Sequence, residues 1–263
     1  MATYTAPDGC RIHYETFGET GPRVLLIPGL GGDGRFWGGV VQRLQTEFRL
    51  VVADHRGAGR SDRPPGGYSI PRSAADVAGI VHQWGEPVHV VGHSTGGAIA
   101  QVLALDHDIK GLSYTISSSW ARSDARFRTL FIARAEMLEA GQAETYQRLT
   151  HVFGHTSAWL TAHAAKLDAA VADAPRNLAP LDVAAARVRM LLDHDRLTDL
   201  SSIRSPVQVI AAVDDILTPP ELSRAVATAI AGAEFVTVRG AHFHPFTDPD
   251  SFAAEFRRFI AKL

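Results

Sequence analysis

Gly92-His93-Ser94-Thr95-Gly96 stands between an apolar run, Pro87-Val88-His89-Val90-Val91, and a helix-like run, Ala98-Ile99-Ala100-Gln101-Val102-Leu103-Ala104-Leu105. A Gly-x-Ser-x-Gly between strand and helix turns the chain sharply, and its glycines let the backbone bend and the helix pack closely. The hydroxyl is then pushed out of the turn, so Ser94 is a candidate nucleophile. Such a pentapeptide also arises by chance, as a glycine-rich loop with a serine helix cap. Its surroundings have to decide.

Continuous apolar runs at Val24-Leu25-Leu26-Ile27, Leu50-Val51-Val52-Ala53, Val88–Val91 and Val207–Ala212 read as strands buried on both faces, each followed by a helical segment. This rhythm predicts the α/β class with a mainly parallel, doubly wound sheet, whose ligands gather at the carboxyl ends of the strands. Alternation in Arg11–Phe17, after the turn Pro7-Asp8-Gly9, predicts an antiparallel hairpin at the N-terminus. Between a strand near Leu112–Ser117 and the strand at Val207, a stretch rich in Ala, Arg and Leu reads as helix throughout. The expected organisation is a core of residues 1–120 and 197–263 with a helical cap, 121–196, lying over the strand ends. Trp120, Phe127, Phe131, Phe153 and Trp159 sit at mostly helical spacings and read chiefly as helix packing. Trp120, Phe131 and Trp159 are the candidates among them for contact with substrate.

With 263 residues, 46% of them hydrophobic, the chain suffices for one α/β domain with a full core. Its 26 basic and 28 acidic side chains are scattered and leave a net charge of -2, which gives no electrostatic footprint for nucleic acid or an anionic membrane. A small-molecule partner is the default, and the oligomeric state is open, a homodimer included. The single cysteine, Cys10, excludes an internal disulfide and a cysteine-based metal site and reads as a packing residue. The N-terminal residues lack the basic start and apolar stretch of a secretory signal, and no apolar run reaches bilayer-spanning length, so the reading is cytoplasmic.

Asp215, in Val213-Asp214-Asp215-Ile216-Leu217-Thr218-Pro219-Pro220, lies just past a strand and before a helix opened by proline. It is the preferred triad acid, with Asp214 as competitor and a dipole-offsetting helix carboxylate as the bland alternative. His242 follows the apolar run Glu234–Val238 in Arg239-Gly240-Ala241-His242-Phe243-His244-Pro245, at the same sheet edge. Acyl transfer needs this set: an imidazole takes the serine proton and returns it to the leaving group, and a carboxylate holds the imidazole's tautomer. His244 could substitute on spacing alone; since it precedes proline, it is expected in extended backbone as a pocket wall or exposed residue. A His-x-His metal pair has no acidic or cysteine companions nearby. His151 and His155, four apart with Gly154 between them, read as surface or pocket-rim residues, and Arg122, Arg126 and Arg128 as a solvated face, one of which could meet an anionic substrate.

Gly29-Leu30-Gly31-Gly32-Asp33-Gly34 matches the dinucleotide fingerprint, with Asp54 twenty positions after Gly34. Against that reading, Gly38-Gly39 break up the following turn and the strand is not the first of the chain. The alternative is an oxyanion loop, in which the amides of Leu30 and Thr95 point at the charge developing on a carbonyl. Gly29 would then lie against substrate. No metal or cofactor is called for.

With Gly92-His93-Ser94-Thr95-Gly96-Gly97, Asp54-His55-Arg56-Gly57-Ala58-Gly59-Arg60-Ser61, Asp215-Ile216-Leu217-Thr218-Pro219 and Gly240-Ala241-His242, the chain resembles the α/β-hydrolase superfamily over nearly its whole length. The order Ser94, Asp215, His242 matches that arrangement. Pro28 departs from it, since many members carry histidine before the oxyanion glycine. The segment from Trp120 through Trp159 and Pro206-Val207-Gln208-Val209-Ile210 are similar to small hydrolases of bacterial uracil-ring degradation, assigned to aminoacrylate or carbamate; enol-lactone hydrolases are close in pattern too. The resemblance implies a serine hydrolase for a small ester, lactone, amide or carbamate, and serine at the elbow argues against the carboxylate nucleophiles of dehalogenases and epoxide hydrolases. The rival is a non-hydrolytic member of the same fold, a cofactor-free oxygenase, lyase or ligand-binding protein.

Overall fold

The apolar runs pair side by side in the computed structural model, which describes residues 2–263. The strands are β1 (Ala2–Thr5), β2 (Arg11–Phe17), β3 (Arg23–Ile27), β4 (Arg49–Ala53), β5 (Val88–His93), β6 (Gly111–Ser117), β7 (Val207–Ala212) and β8 (Glu234–Val238). They form one sheet in the order β1-β2-β4-β3-β5-β6-β7-β8. The expected hairpin is there: β1 and β2 pair antiparallel, β2 joins β4 antiparallel, and every pairing from β4 through β8 is parallel.

Side chains alternate across each strand, so a strand covered by helices on both faces must be apolar throughout. Val24 and Leu26 of β3, with Leu50 and Val52 of β4, enter one core with Trp37, Phe252 and Phe256. Leu25, Ile27, Val51 and Ala53 enter the other. Between β3 and β6 lie helices α1 (Gly38–Leu44), α2 (Ile70–His82) and α3 (Thr95–Asp106). Gly38 and Gly39 open α1, after a single tight turn at Gly34–Trp37, and do not break it as the sequence suggested. Gly39 is close-packed there, since a Cβ would lie 3.0 Å from the Pro249 ring.

After β6 come α4 (Ala125–Glu139), α5 (Ala143–Gly154), α6 (Ser157–Ala162), α7 (Ala164–Ala172), α8 (Ala174–Asn177) and α9 (Leu181–Arg189). The long helical reading is correct in kind but not continuous: Gly141, at φ 76°, and the extended caps His155 and Leu178 divide it. A bridge between Arg122 and Asp195 ties together the two ends of this insertion. The chain closes with α10 (Pro220–Ala229), α11 (His244–Thr247) and α12 (Pro249–Ile260). Because β3 is flanked by β4 on one side and β5 on the other, the chain reverses direction across the sheet at the β3/β5 boundary. Such a switch point leaves a crevice at the strand ends. The Gly29–Gly34 loop and Ser94 both emerge there, with Ile27 and Gly92 paired in register.

Candidate active site

Ser94 joins β5 to α3 at φ 54°, ψ -116°, a conformation costly for a residue with a side chain. The turn is held where it must be: the Ser94 amide donates to Ser117 O at 2.8 Å, and its carbonyl accepts from Gly97 N at 2.8 Å and Ser119 Oγ at 2.8 Å. Glycine is required on both sides. A Cβ on Gly92 would lie 2.1 Å from Gly96 O, and one on Gly96 would lie 2.2 Å from Ile27 O. Although Ser94 occupies the cap position of α3, its side chain makes no cap hydrogen bond. Its hydroxyl borders a cavity instead.

Asp215 and His242 meet behind that cavity, where Asp215 Oδ2 is 2.8 Å from His242 Nδ1 and the two side chains are 0% and 2% exposed. The other oxygen, Oδ1, accepts from the amides of Leu217 and Thr218 at 2.9 Å each. Burial alone would raise the Asp215 carboxyl, but the His242 ring and the Thr218 donors outweigh it and hold it below the ordinary carboxylate range. Asp214 is exposed, facing away from this network. Thr218, which no motif singled out, completes the pair: its hydroxyl lies 2.9 Å from Ser118 O, 3.0 Å from Asp215 Oδ2 and 3.1 Å from His242 Nδ1. His242 lines the same cavity as Ser94, and no hydrogen bond joins the two side chains among the described residues.

His244 is neither extended nor exposed. It begins α11 and is 2% exposed, because proline is tolerated in a first helical turn that needs no amide from it. Its Nε2 lies 3.0 Å from Ser117 Oγ, which is 3.2 Å from His93 Nδ1. Burial drives His244 down to about 3 and His93 well below its ordinary value, so both rings are neutral near pH 7. Only His242 of the three has a carboxylate partner.

The glycine-rich loop after β3 does not hold Asp54 ready for a ribose. Asp54 is 1% exposed; its Oδ1 accepts from Gly34 N at 2.7 Å and its Oδ2 from Arg60 N at 2.9 Å. The acid is thus spent on joining two loops. Arg56 beside it is buried and forms a bidentate pair with Asp76, both bonds at 2.6 Å. The amides of Leu30 and Thr95 have no backbone acceptor among the described residues, and Gly29 and Leu30 line the cavity with Ser94.

The cavity measures about 410 Å³ and is roofed by α4, α5, α7, α8 and α9. Phe131 reaches it; Trp120 and Trp159 do not. Trp120 is wholly buried against Phe127, ring centres 4.6 Å apart, and Phe127 in turn packs on Phe131 at 4.3 Å, so Trp120 anchors the insertion to the sheet. Trp159 stacks between His155 and His163 at 3.7 and 3.9 Å, two layers out from the cavity, since His155 itself packs on the lining residue Phe243. His155 is therefore buried, and only His151 is half-exposed. Gly154 lets α5 settle onto the His242 turn: a Cβ there would lie 2.2 Å from the Phe243 ring. The arginines Arg122, Arg126 and Arg128 face away, toward Asp195 and the carbonyls of Ile216, Leu217 and Leu192. Arg63, Arg134 and Arg187, which the sequence reading passed over, line the cavity in their place.

Comparison with known proteins agrees with this architecture. The profile of the alpha/beta hydrolase fold family matches residues 22–249. A protein of Caulobacter vibrioides (strain NA1000 / CB15N), provisionally named carbamate hydrolase RutD, is 34% identical over 257 residues, 95% of each chain. A protein of Escherichia coli O157:H7 (strain EC4115 / EHEC) with the same name is 32% identical over 250 residues, 92% of each chain. The enol-lactonase of Burkholderia xenovorans LB400 superposes with a TM-score of 0.90 at 23% identity, covering 99% of this chain and all of its own. No helix among the described residues is long and apolar enough to cross a membrane.

Proposed function

Because the chain belongs to the α/β-hydrolase family, we propose that it is a serine hydrolase that cleaves a small ester, lactone, amide or carbamate through an acyl-enzyme on Ser94. One observation carries this reading: Ser94 sits in a strained backbone turn without a cap hydrogen bond, facing the cavity that His242 shares, with His242 bound to Asp215. The sequence relatives named for carbamate hydrolysis support the class of reaction.

In this mechanism Nε2 of His242 takes the Ser94 proton as the hydroxyl oxygen attacks the carbonyl carbon, and then delivers it to the leaving group. Asp215 fixes the proton on Nδ1 and stabilises the imidazolium. The tetrahedral oxygen receives the amides of Leu30 and Thr95, and water then repeats the sequence in reverse to free the acid and Ser94. The helical insertion acts as a cap that excludes bulk water, with Phe131 and Gly29 against the substrate.

Hydrolysis of 4-nitrophenyl acetate, with a fluorophosphonate probe alongside, tests this. The wild type should turn over and be labelled, and Ser94→Ala should lose at least about a thousandfold in kcat and all labelling. Wild-type turnover that survives Ser94→Ala would exclude the mechanism. A wild type that neither turns over nor reacts with the probe would favour the non-hydrolytic alternative.

A further inference from the structure

The two histidines near the triad that the mechanism leaves idle, His93 and His244, are joined through one hydroxyl. His93 ends β5, directly before Ser94, and stands in register with Ser117 on β6. Ser117 Oγ lies 3.2 Å from His93 Nδ1 and 3.0 Å from His244 Nε2, and all three residues are at most 2% exposed. The carbonyl of the same serine accepts the Ser94 amide at 2.8 Å. The His93 ring stacks on Phe36, with centres 5.0 Å and planes 17° apart, and meets the His242 ring at 4.8 Å. His244 stands two residues beyond His242, where α11 begins. Ser117 therefore ties the strand end that carries the nucleophile to the turn that carries the base.

A hydroxyl has one proton to give, and a neutral imidazole has one nitrogen that donates and one that accepts. Between two neutral rings the Ser117 hydroxyl donates to one facing nitrogen and accepts a hydrogen from the other, which holds each ring to a single tautomer. His242 needs a brace of this kind. Its hydrogen-bond partners among the described residues, Asp215 Oδ2 and Thr218 Oγ1, both sit at Nδ1. A ring pinned at one corner pivots about it, and a misplacement of about 1 Å in a reacting group can cost about a hundredfold in rate. Two rings lie against it: Phe243, its own neighbour in the chain, at 5.6 Å, and His93 at 4.8 Å. We propose that His93 is a positioning residue for the base: held by the Ser117–His244 relay and by Phe36, its ring stops His242 from swinging out of the cavity shared with Ser94. Neutrality belongs to this role, since a charged His93 would repel the imidazolium that forms beside it. Its titratable neighbours, His242 and His244, both oppose a charge on it, and burial opposes it more strongly still.

The positioning role rests on the hydrolase reading and the relay does not, so the two are measured apart. In nitrogen-15 spectra of the histidine-labelled wild type from about pH 8 to about pH 5, His93 and His244 should each stay neutral as one tautomer, with a proton on only one of the two nitrogens facing Ser117. Ser117→Ala should turn both rings into tautomer mixtures. Protons on both facing nitrogens or on neither, a ring that charges above about pH 5, or spectra unchanged by Ser117→Ala would overturn the relay. Hydrolysis of 4-nitrophenyl acetate, counted per fluorophosphonate-labelled site, tests the positioning. His93→Asn, which keeps an amide for Ser117 but offers His242 no ring, should lose about tenfold in kcat with KM unchanged. His93→Phe, which restores a ring, should recover to within about threefold of the wild type. A His93→Asn as fast as the wild type, a His93→Phe as slow as His93→Asn, or a change in KM alone would overturn the role. A wild type without turnover would remove the hydrolase reading and the positioning role with it, while the spectra still decide the relay. Should Ser117→Ala fail to fold, the wild-type spectra and the His93 variants decide.

Discussion

The hydroxyl of Thr218 lies within 2.9 to 3.1 Å of both members of the Asp215–His242 pair and of Ser118 O, and at this scale its loss isolates positioning from chemistry. Thr218→Val keeps the shape but removes the one hydroxyl proton within reach of Asp215 Oδ2 and Ser118 O, a cost of about 1 kcal/mol in holding the imidazole. We expect kcat to fall about fivefold with KM unchanged, and Thr218→Ser to restore it. Steady-state kinetics of both variants check this; a Thr218→Ser as slow as Thr218→Val would point to packing. Thr218 escaped notice because a threonine directly before a double proline has no signature of its own. Arg134 did carry a signal. Arg134 lies on the helix face of Phe127, Phe131, Ala135 and Leu138, all buried, where an arginine has no reason to be unless it serves the cavity.

At the scale of elements, the elbow depends on how closely α3 approaches the end of β3. A methyl on Gly96 would meet Ile27 O at 2.2 Å and Pro28 O at 2.7 Å, backbone atoms at the end of β3 and just past it. Gly96→Ala should therefore destabilise the protein by about 3 kcal/mol or more, through overpacking that the backbone cannot relax. Gly38→Ala, where nothing lies within 4 Å of the added carbon at the start of α1, should stabilise by about 0.5 kcal/mol. Urea unfolding of the two variants checks the pair, and similar midpoints would contradict the packing argument. Elements buried on both faces were legible because their apolar runs admit little else. The insertion was legible only as helix: whether Trp120, Phe131 or Trp159 looks into the cavity depends on the rotation of each helix against its neighbours, and α6, without a buried residue, carries Trp159 on its outside.

Across the whole molecule, burial has left several histidines that resist protonation. His244 and His55 are depressed to about 3, and His155 and His194 to about 4. In the unfolded chain each titrates near pH 6.5, roughly the free value. Below that pH the unfolded state takes up protons that the folded state excludes, so this stability is complete above about pH 6.5 and is lost as pH falls toward 4. Each ring contributes a slope of about 1.4 kcal/mol per pH unit in that window. Urea unfolding should accordingly show a steep loss of stability between pH 6.5 and 5, before carboxylates such as Asp215 titrate; a flat profile in that interval would show that these rings reach solvent in the native state. The sequence by itself determined the strand and helix rhythm, the elbow at Ser94, and Asp215 and His242 at successive strand ends, because two-sided burial and a sharp strand-to-helix turn restrict which residues can stand there. Tertiary structure alone decided that Asp54 is spent between loops, that His244 is sealed in the core, and that Arg187 lines the cavity. Those outcomes turn on which distant segments come to lie against one another, and no local pattern of residues encodes that.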